Sequence, residues 1–368
     1  MKIKGCFAVI VCSMLMLTSC ASGHISKGAA SSEGNTYPAE SSQNVESIEP
    51  SSHSQLSDEA VSSEYSIEDS SQNRSDDNAE DSMEDSSDEI SEPSESSTVV
   101  EIIEAPSCST AVLYCVEDGS FLYDDNSEKR IAPASITKLL TAAVLLRQMN
   151  PDDIVTVGTE LSLVNEGSSV CWLSEGNILT VRDLLTGMLL NSGNDAAYTA
   201  AVSAARKAYP EKELSDEEAV SVFCGMMNEL AGEIGMSDSH FSDPDGWDDA
   251  EHYVTSADLV RLSAYVLQDP VIREITGLHQ KYVEFVSGES VTWTNTNSLL
   301  DPDSSFYCDE AIGLKTGTTD NAGCCLAAAF IKNGKTYITV VSGCGESDDR
   351  YELTLKLLAL ADGAAQAA

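Results

Sequence analysis

The chain has 368 residues, room for two or three ordinary domains, yet acidic residues outnumber basic ones 61 to 20 and the formal net charge is −41. A chain this acidic is repelled by phosphate backbones, which argues against nucleic acid as a partner. About a third of the acids lie between Lys27 and Pro106, where serine dominates and Lys27 and Arg74 are the only Lys or Arg. Such a segment buries too little apolar surface to offset its conformational entropy and is expected to be disordered. The remainder, from Ser107 onward, has the apolar content for one sizeable core.

At the N-terminus, Lys2 and Lys4 precede an apolar run from Cys6 to Leu17. A comfortable transmembrane helix needs about twenty residues, so this run reads as an export signal. It ends in Leu17-Thr18-Ser19-Cys20, followed by Ala21, which resembles the lipobox of bacterial lipoproteins. The resemblance implies a signal peptide over residues 1–19 and lipidation of Cys20. The product would sit outside the cell, lipid-anchored to the outer face of the cytoplasmic membrane; an ordinary cleaved signal and a secreted product is the alternative. Residues 20–106 would then form a Ser/Glu/Asp-rich tether averaging roughly 50 Å end to end, a solvating spacer with no partner of its own.

Residues 107–364 read as one domain. Ser109–Cys115 and Phe121–Tyr123 are predicted strands, joined through Gly119 as a hairpin. The apolar period from Ile136 to Leu146 predicts a helix, with Pro133 and Ser135 at its start. Thr180–Leu190 is a second helix, broken at Asn191-Ser192-Gly193-Asn194, and Asp195–Ala208 a third. Glu217–Gly235 and Ser256–Leu267 continue the helical block. Strands follow at Lys281–Val286, Val291–Thr294, Ala311–Thr316, Gly323–Ile331 and Thr336–Gly343, and a last helix at Asp348–Ala361. Strands at both ends of the domain around a helical middle predict an α+β fold, one antiparallel sheet completed by the two ends and covered by helices.

Three short motifs carry chemistry, in order: Ser135-Ile136-Thr137-Lys138 at a helix start, Ser192-Gly193-Asn194 in a break between helices, and Lys315-Thr316-Gly317-Thr318 on a strand. A serine hydroxyl is a weak nucleophile at neutral pH and needs a base beside it. Lys138 lies one turn after Ser135, on the same face, where burial and neighbouring cations would yield a neutral amine. The Ser135 N–H, at the helix start, is free to stabilise an oxyanion. Ser192 suits proton transfer to a leaving amine, and Asn194 suits holding substrate amides. Lys315, Thr316 and Thr318 line a strand edge that would pair with an extended peptide, the cation aimed at a terminal carboxylate, while Gly317 permits a close approach.

In these motifs the domain resembles the low-molecular-mass penicillin-binding proteins that act as serine-type D-alanyl-D-alanine carboxypeptidases. The likeness extends over Pro133–Thr141, Leu184–Ala197, Met227-Asn228, Gly235-Met236, His240-Phe241, Pro244-Asp245-Gly246, Asn295–Leu300 and Gly313–Gly317, with Trp247 where leucine is usual. It implies a β-lactamase/transpeptidase-like fold: a five-stranded antiparallel sheet with helices on both faces and a mainly helical subdomain. It also implies an acyl-enzyme on Ser135, an oxyanion hole from the N–H groups of Ser135 and Thr318, and Arg350 helping to hold the substrate's carboxylate. Its substrates would be peptidoglycan stem peptides, its inhibitors β-lactam antibiotics, and it would use no cofactor and no metal. Many members continue into a small β domain and an amphipathic membrane helix; neither is read here, and a lipid on Cys20 would replace that anchor.

Other functions compete with this one. A secreted serine β-lactamase would need a deacylating Glu in an E-x-x-x-N loop after the second motif, and none is found between Asn194 and Lys315; Glu160 to Asn165 has the wrong spacing and precedes Ser192. A non-catalytic lipoprotein that binds wall peptides, or an endopeptidase acting on crosslinked stems, would share these motifs. His240 and His252 lack zinc-site spacing, and His240 is read as a packed histidine. Asp195 is read as a carboxylate complementing a helix N-terminus. Of the cysteines, Cys115, Cys324, Cys325 and Cys344 lie in apolar strands and are expected to pack as free thiols.

Overall fold

A computed structural model describes residues 108–367 and the side chains of residues 108–363. The signal peptide, Cys20 and the tether therefore lie outside the described residues. In chain order the domain begins with β1 (Thr110–Cys115), β2 (Ser120–Asp125), β3 (Arg130–Ile131), a 3-10 turn over Ala134–Thr137 and α1 (Lys138–Gln148). Then come β4 (Ile154–Thr156), β5 (Ile178–Thr180), α2 (Val181–Leu190), α3 (Asn194–Ala208), α4 (Asp216–Glu233), β6 (Val254–Thr255), α5 (Ser256–Val266) and α6 (Pro270–Thr276). The hairpin β7 (Gln280–Glu284) and β8 (Ser290–Thr294) leads into β9 (Ala311–Thr319), β10 (Gly323–Lys332), β11 (Lys335–Cys344) and α7 (Ser347–Ala367).

The main sheet has the order β2-β1-β11-β10-β9, antiparallel throughout, so both sequence ends of the domain meet in its middle. Alternation along the strands builds two cores. Val112, Ala327, Ala329, Ile338 and Val340 pack with the block of α1 to α6. Ala111, Leu113, Leu326, Ala328 and Phe330 pack instead with Leu353, Leu357 and Leu358 of α7. Helices thus cover both faces, as the α+β reading expected.

Local chemistry fixes the ends of the elements. Ser215 and Glu218 form a reciprocal capping box on α4. Asp269 caps α6, whose first residue is Pro270; this seven-residue helix is not apparent from periodicity. The predicted strands near residue 285 pair only with each other, as the β7–β8 hairpin outside the main sheet. Among the described residues no helix is long and apolar enough to cross a membrane.

One expectation is overturned. Cys344 is not a free thiol but is joined to Cys108 by a disulfide. The register explains it: Thr110 lies opposite Ser342, and the Ser109 N–H donates to the Ser342 carbonyl, so the chain just before β1 ends up beside the end of β11. A separation of 236 residues hides that meeting from the sequence. Cys115, Cys324 and Cys325 are free thiols, as expected.

Candidate active site

Ser135, the candidate nucleophile, sits in a tight 3-10 turn and not in the first turn of an α-helix. In 3-10 geometry the side chains of residues three apart eclipse, and the Lys138 Nζ donates to Ser135 Oγ at 2.8 Å. The residue before the serine, Ala134, is buried with φ +48°, a costly backbone for a residue with a Cβ. Gly246 backs this turn: a Cβ there would lie 1.9 Å from the Ala134 carbonyl oxygen, and its φ of +88° suits only glycine. Thr137 points away from the serine, and its hydroxyl bonds His252 Nε2 at 2.9 Å.

Lys138 is buried and makes a second bond, to the Asp245 carbonyl at 2.7 Å. Burial pushes its ammonium down to about 8, against the opposing pull of the Asp245, Asp243 and Asp195 carboxylates. Burial, not neighbouring cations, is thus what depresses this lysine. Asp245 itself is pushed up to about 7, first by burial and then by the nearby Asp243, the Lys138 charge opposing.

The second motif occupies the junction of α2 and α3. Ser192 is buried in the left-handed region at φ +59°, and Asn194 opens α3 with its Oδ1 buried and unpartnered by protein. Asp195 is not exposed: its carboxylate accepts from the N–H groups of Cys171, Leu173 and Ala196. It pins the loop before β5 onto the motif and complements the helix N-terminus, as expected. Gly193 is required there, since a Cβ would lie 2.6 Å from Cys171 Sγ.

The third motif lies on β9, the sheet edge facing the serine turn. Gly317 does permit a close approach, but by the chain itself: a Cβ would meet Ala134 Cβ at 2.9 Å and the Ser135 backbone nitrogen at 3.1 Å. Lys315 is buried, its amine on the Thr316 carbonyl at 2.9 Å. Burial, followed by the charges of Lys138 and Arg350, holds it well below its usual range. The Thr316 hydroxyl bonds that of Thr296 at 2.6 Å. Arg350, from α7, donates to Thr318 Oγ1 at 3.2 Å and to the Gly317 carbonyl at 3.2 Å, and lies over the Tyr351 ring. Its guanidinium therefore braces the strand end where the sequence placed a carboxylate site.

Two residues gained importance only in three dimensions. His252 is buried and Asp243 half-buried, and the two pair, Oδ2 to Nδ1 at 2.9 Å, behind the serine turn. His240 is a packed residue, its ring on the Glu251 carbonyl and its backbone bridged to Tyr253. Glu160, the nearest lookalike for a deacylating acid, accepts from the Gly158 N–H and the Thr199 hydroxyl.

Comparison with known proteins fits this geometry. Residues 96–345 match the family described as Peptidase_S11, D-alanyl-D-alanine carboxypeptidase. The D-alanyl-D-alanine carboxypeptidase DacF of Bacillus subtilis is 30% identical over 257 residues, 69% of this chain and 62% of DacF. DacD of Escherichia coli is 32% identical over 263 residues, 67% of this chain and 61% of DacD. The chain thus spans about three fifths of the length of these curated relatives. The crystal structure of the Streptomyces K15 DD-transpeptidase is similar with a TM-score of 0.63 and 30% identity, covering 70% of this chain and 98% of that one. The sheet order, the three motifs and this match over most of the folded domain agree, and the chain belongs to the S11 family of D-alanyl-D-alanine carboxypeptidases.

Proposed function

We propose that the protein is a serine-type D-alanyl-D-alanine carboxypeptidase that removes the terminal D-alanine from peptidoglycan stem peptides and is inhibited by penicillin. The observation that carries this reading is the 2.8 Å contact between the buried Lys138 amine and the half-buried Ser135 hydroxyl. Neutral Lys138 takes the Ser135 proton as Oγ attacks the carbonyl carbon of the penultimate D-alanine. The N–H groups of Ser135 and Thr318 stabilise the oxyanion. Collapse of the tetrahedral adduct expels D-alanine, whose amine takes a proton passed through Ser192. Water, activated by Lys138 with Ser192, then hydrolyses the Ser135 ester. Asn194 holds the peptide's amides, while Lys315, Thr316, Thr318 and Arg350 hold its carboxylate.

Penicillin would acylate the same serine, but its leaving amine stays tethered and obstructs the water. Glu160, the nearest lookalike for a deacylating acid, already accepts from Gly158 and Thr199, which supports this reading over a β-lactamase. The test is intact-mass spectrometry after exposure to penicillin, alongside D-alanine release from a peptide ending in D-Ala-D-Ala. A lasting adduct on Ser135 with peptide turnover is expected, and both vanish in a folded Ser135→Ala variant. Rapid multiple turnover of penicillin would overturn the assignment.

We also propose lipidation of Cys20 as the means of membrane attachment, on the strength of the Leu17–Ala21 sequence. Cys20→Ala is expected to move the protein to the medium or leave its signal uncleaved. A processed variant still bound to membranes would refute it.

A further inference from the structure

We propose that Asp243 and His252 are positioning residues for the general base, holding the Asp245 carbonyl against the Lys138 amine so that the lysine lone pair faces Ser135. This rests on the serine-peptidase reading above and assigns roles to residues outside its three motifs.

The contacts form a closed ring. Asp243 Oδ1 accepts from the backbone N–H groups of Asp245, Gly246 and Trp247, at 3.1, 2.6 and 3.2 Å. Its Oδ2 bonds His252 Nδ1 at 2.9 Å, nearer than the Ser242 N–H at 3.3 Å, so the carboxylate takes the Nδ1 proton. The opposite ring nitrogen, Nε2, bonds the Thr137 hydroxyl, one residue before Lys138. Lys138 closes the ring by donating to the Asp245 carbonyl. Two further bonds fix the same loop on either side: Thr141 of α1 donates to the Pro244 carbonyl at 2.6 Å, and Thr319 of β9 donates to Asp248 at 2.6 Å.

The chemistry makes the carbonyl matter. A neutral amine has two N–H bonds and one lone pair. With an acceptor at Asp245, an N–H is drawn there, and the lone pair is left for the serine proton. Without that acceptor the buried amine can turn an N–H toward Ser135 Oγ, an orientation that cannot take a proton. Misplacing a reacting group by about an ångström can cost about 100-fold in rate. The titratable groups acting on Lys138 are the Asp245 and Asp243 carboxyls from the loop, the Asp195 carboxyl from α3 and the Cys171 thiol from the loop before β5, which burial keeps uncharged, with Lys315 on β9 opposite.

The test uses the full-length protein and penicillin as the acylating probe, with the Lys138 side chain titrated by NMR on isotopically labelled lysine. Asp243→Ala and His252→Ala are expected to acylate 10- to 100-fold more slowly at saturating penicillin, with the half-saturating concentration unchanged. Asp243→Asn keeps an oxygen for the three N–H groups but removes a charge that favours protonated Lys138. It should acylate within about threefold of the parent at high pH, while the Lys138 titration and the acid limb of the rate both move to lower pH. Folded Ala variants that acylate at the parental rate would overturn the proposal. So would an Asp243→Asn protein as slow as Asp243→Ala with an unmoved Lys138 titration, the mark of a merely structural role. If the Ala variants do not fold, the Asn variant decides. A parent protein that never reacts with penicillin would refute the proposed function, and the Lys138 titration would still judge the positioning role.

Discussion

Lys138 and Lys315 are both buried and stand in each other's field, and the charge of Lys138 adds to burial in holding Lys315 well below its usual range. Two lysine cations buried together are an expensive arrangement, which an anionic partner offsets.

Proton uptake on binding follows. A peptide ending in a free carboxylate favours the charged form of Lys315, so its binding should take up a proton at pH values above the depressed range of Lys315 in the unbound protein. Calorimetry in buffers of different ionisation enthalpy measures this directly. The amidated peptide should take up no proton and lose most of the cleavage rate, one or more powers of ten. Equal uptake and equal rates for the two peptides would remove Lys315 and Arg350 from carboxylate binding.

The pH dependence of acylation has a definite sign. The base must be neutral, and burial has pushed Lys138 down to about 8. The penicillin acylation rate should therefore rise with pH through a limb near 8 and flatten above it. Rates followed from pH 6 to 9.5 check this; a limb that falls with pH would contradict the role of Lys138 as base.

The Asp245 carboxyl predicts a stability effect. Its folded pKa, about 7, is raised above the ordinary carboxylate range, so the folded state holds a proton that the unfolded state has released. This contribution is fully present below about pH 4 and is lost as pH rises through 7. Asp245→Asn keeps an oxygen for the Trp247 N–H and should flatten that decline. Denaturant unfolding of the two proteins at pH 5 and pH 8 compares them, and equal slopes would contradict the assignment.

Gly246→Ala tests the backing of the serine turn. Its φ of +88° and the 1.9 Å approach to the Ala134 oxygen leave no place for a methyl group. A loss of roughly 3 kcal/mol or more is expected, on the scale of a severe core or backbone lesion. Acylation should slow even where the variant stays folded, because the displaced atom adjoins Ser135. A variant of parental stability would show that the loop yields more easily than its contacts imply.

Much of the fold was legible in the sequence because apolar period and turn chemistry are local. Helices α1 to α5 and the five strands of the main sheet were all anticipated, and the three motifs named Ser135, Lys138, Ser192 and Lys315 as candidates. What escaped depends on distance in the chain or on backbone atoms. Thr137 and His252 are 115 residues apart, Cys108 and Cys344 are 236 apart, and no period connects them. The acceptor that orients Lys138 is a main-chain carbonyl, which residue type cannot reveal. The 3-10 turn at Ser135 was read as ordinary α-helix, because the two share an apolar spacing over four residues.

The Cys108–Cys344 bond also fixes a mechanical load path. Any pull on the chain ahead of β1 enters the domain at Cys108 and passes through a covalent link into the end of β11, a central strand. Without that link the same pull would unzip β1 from its first pair, Thr110 with Ser342, one hydrogen bond at a time. With it, the force bypasses the β1–β11 seam and reaches the loop just ahead of α7, the helix that carries Arg350. A domain held at its leading end is thereby built to be tugged without its sheet peeling open.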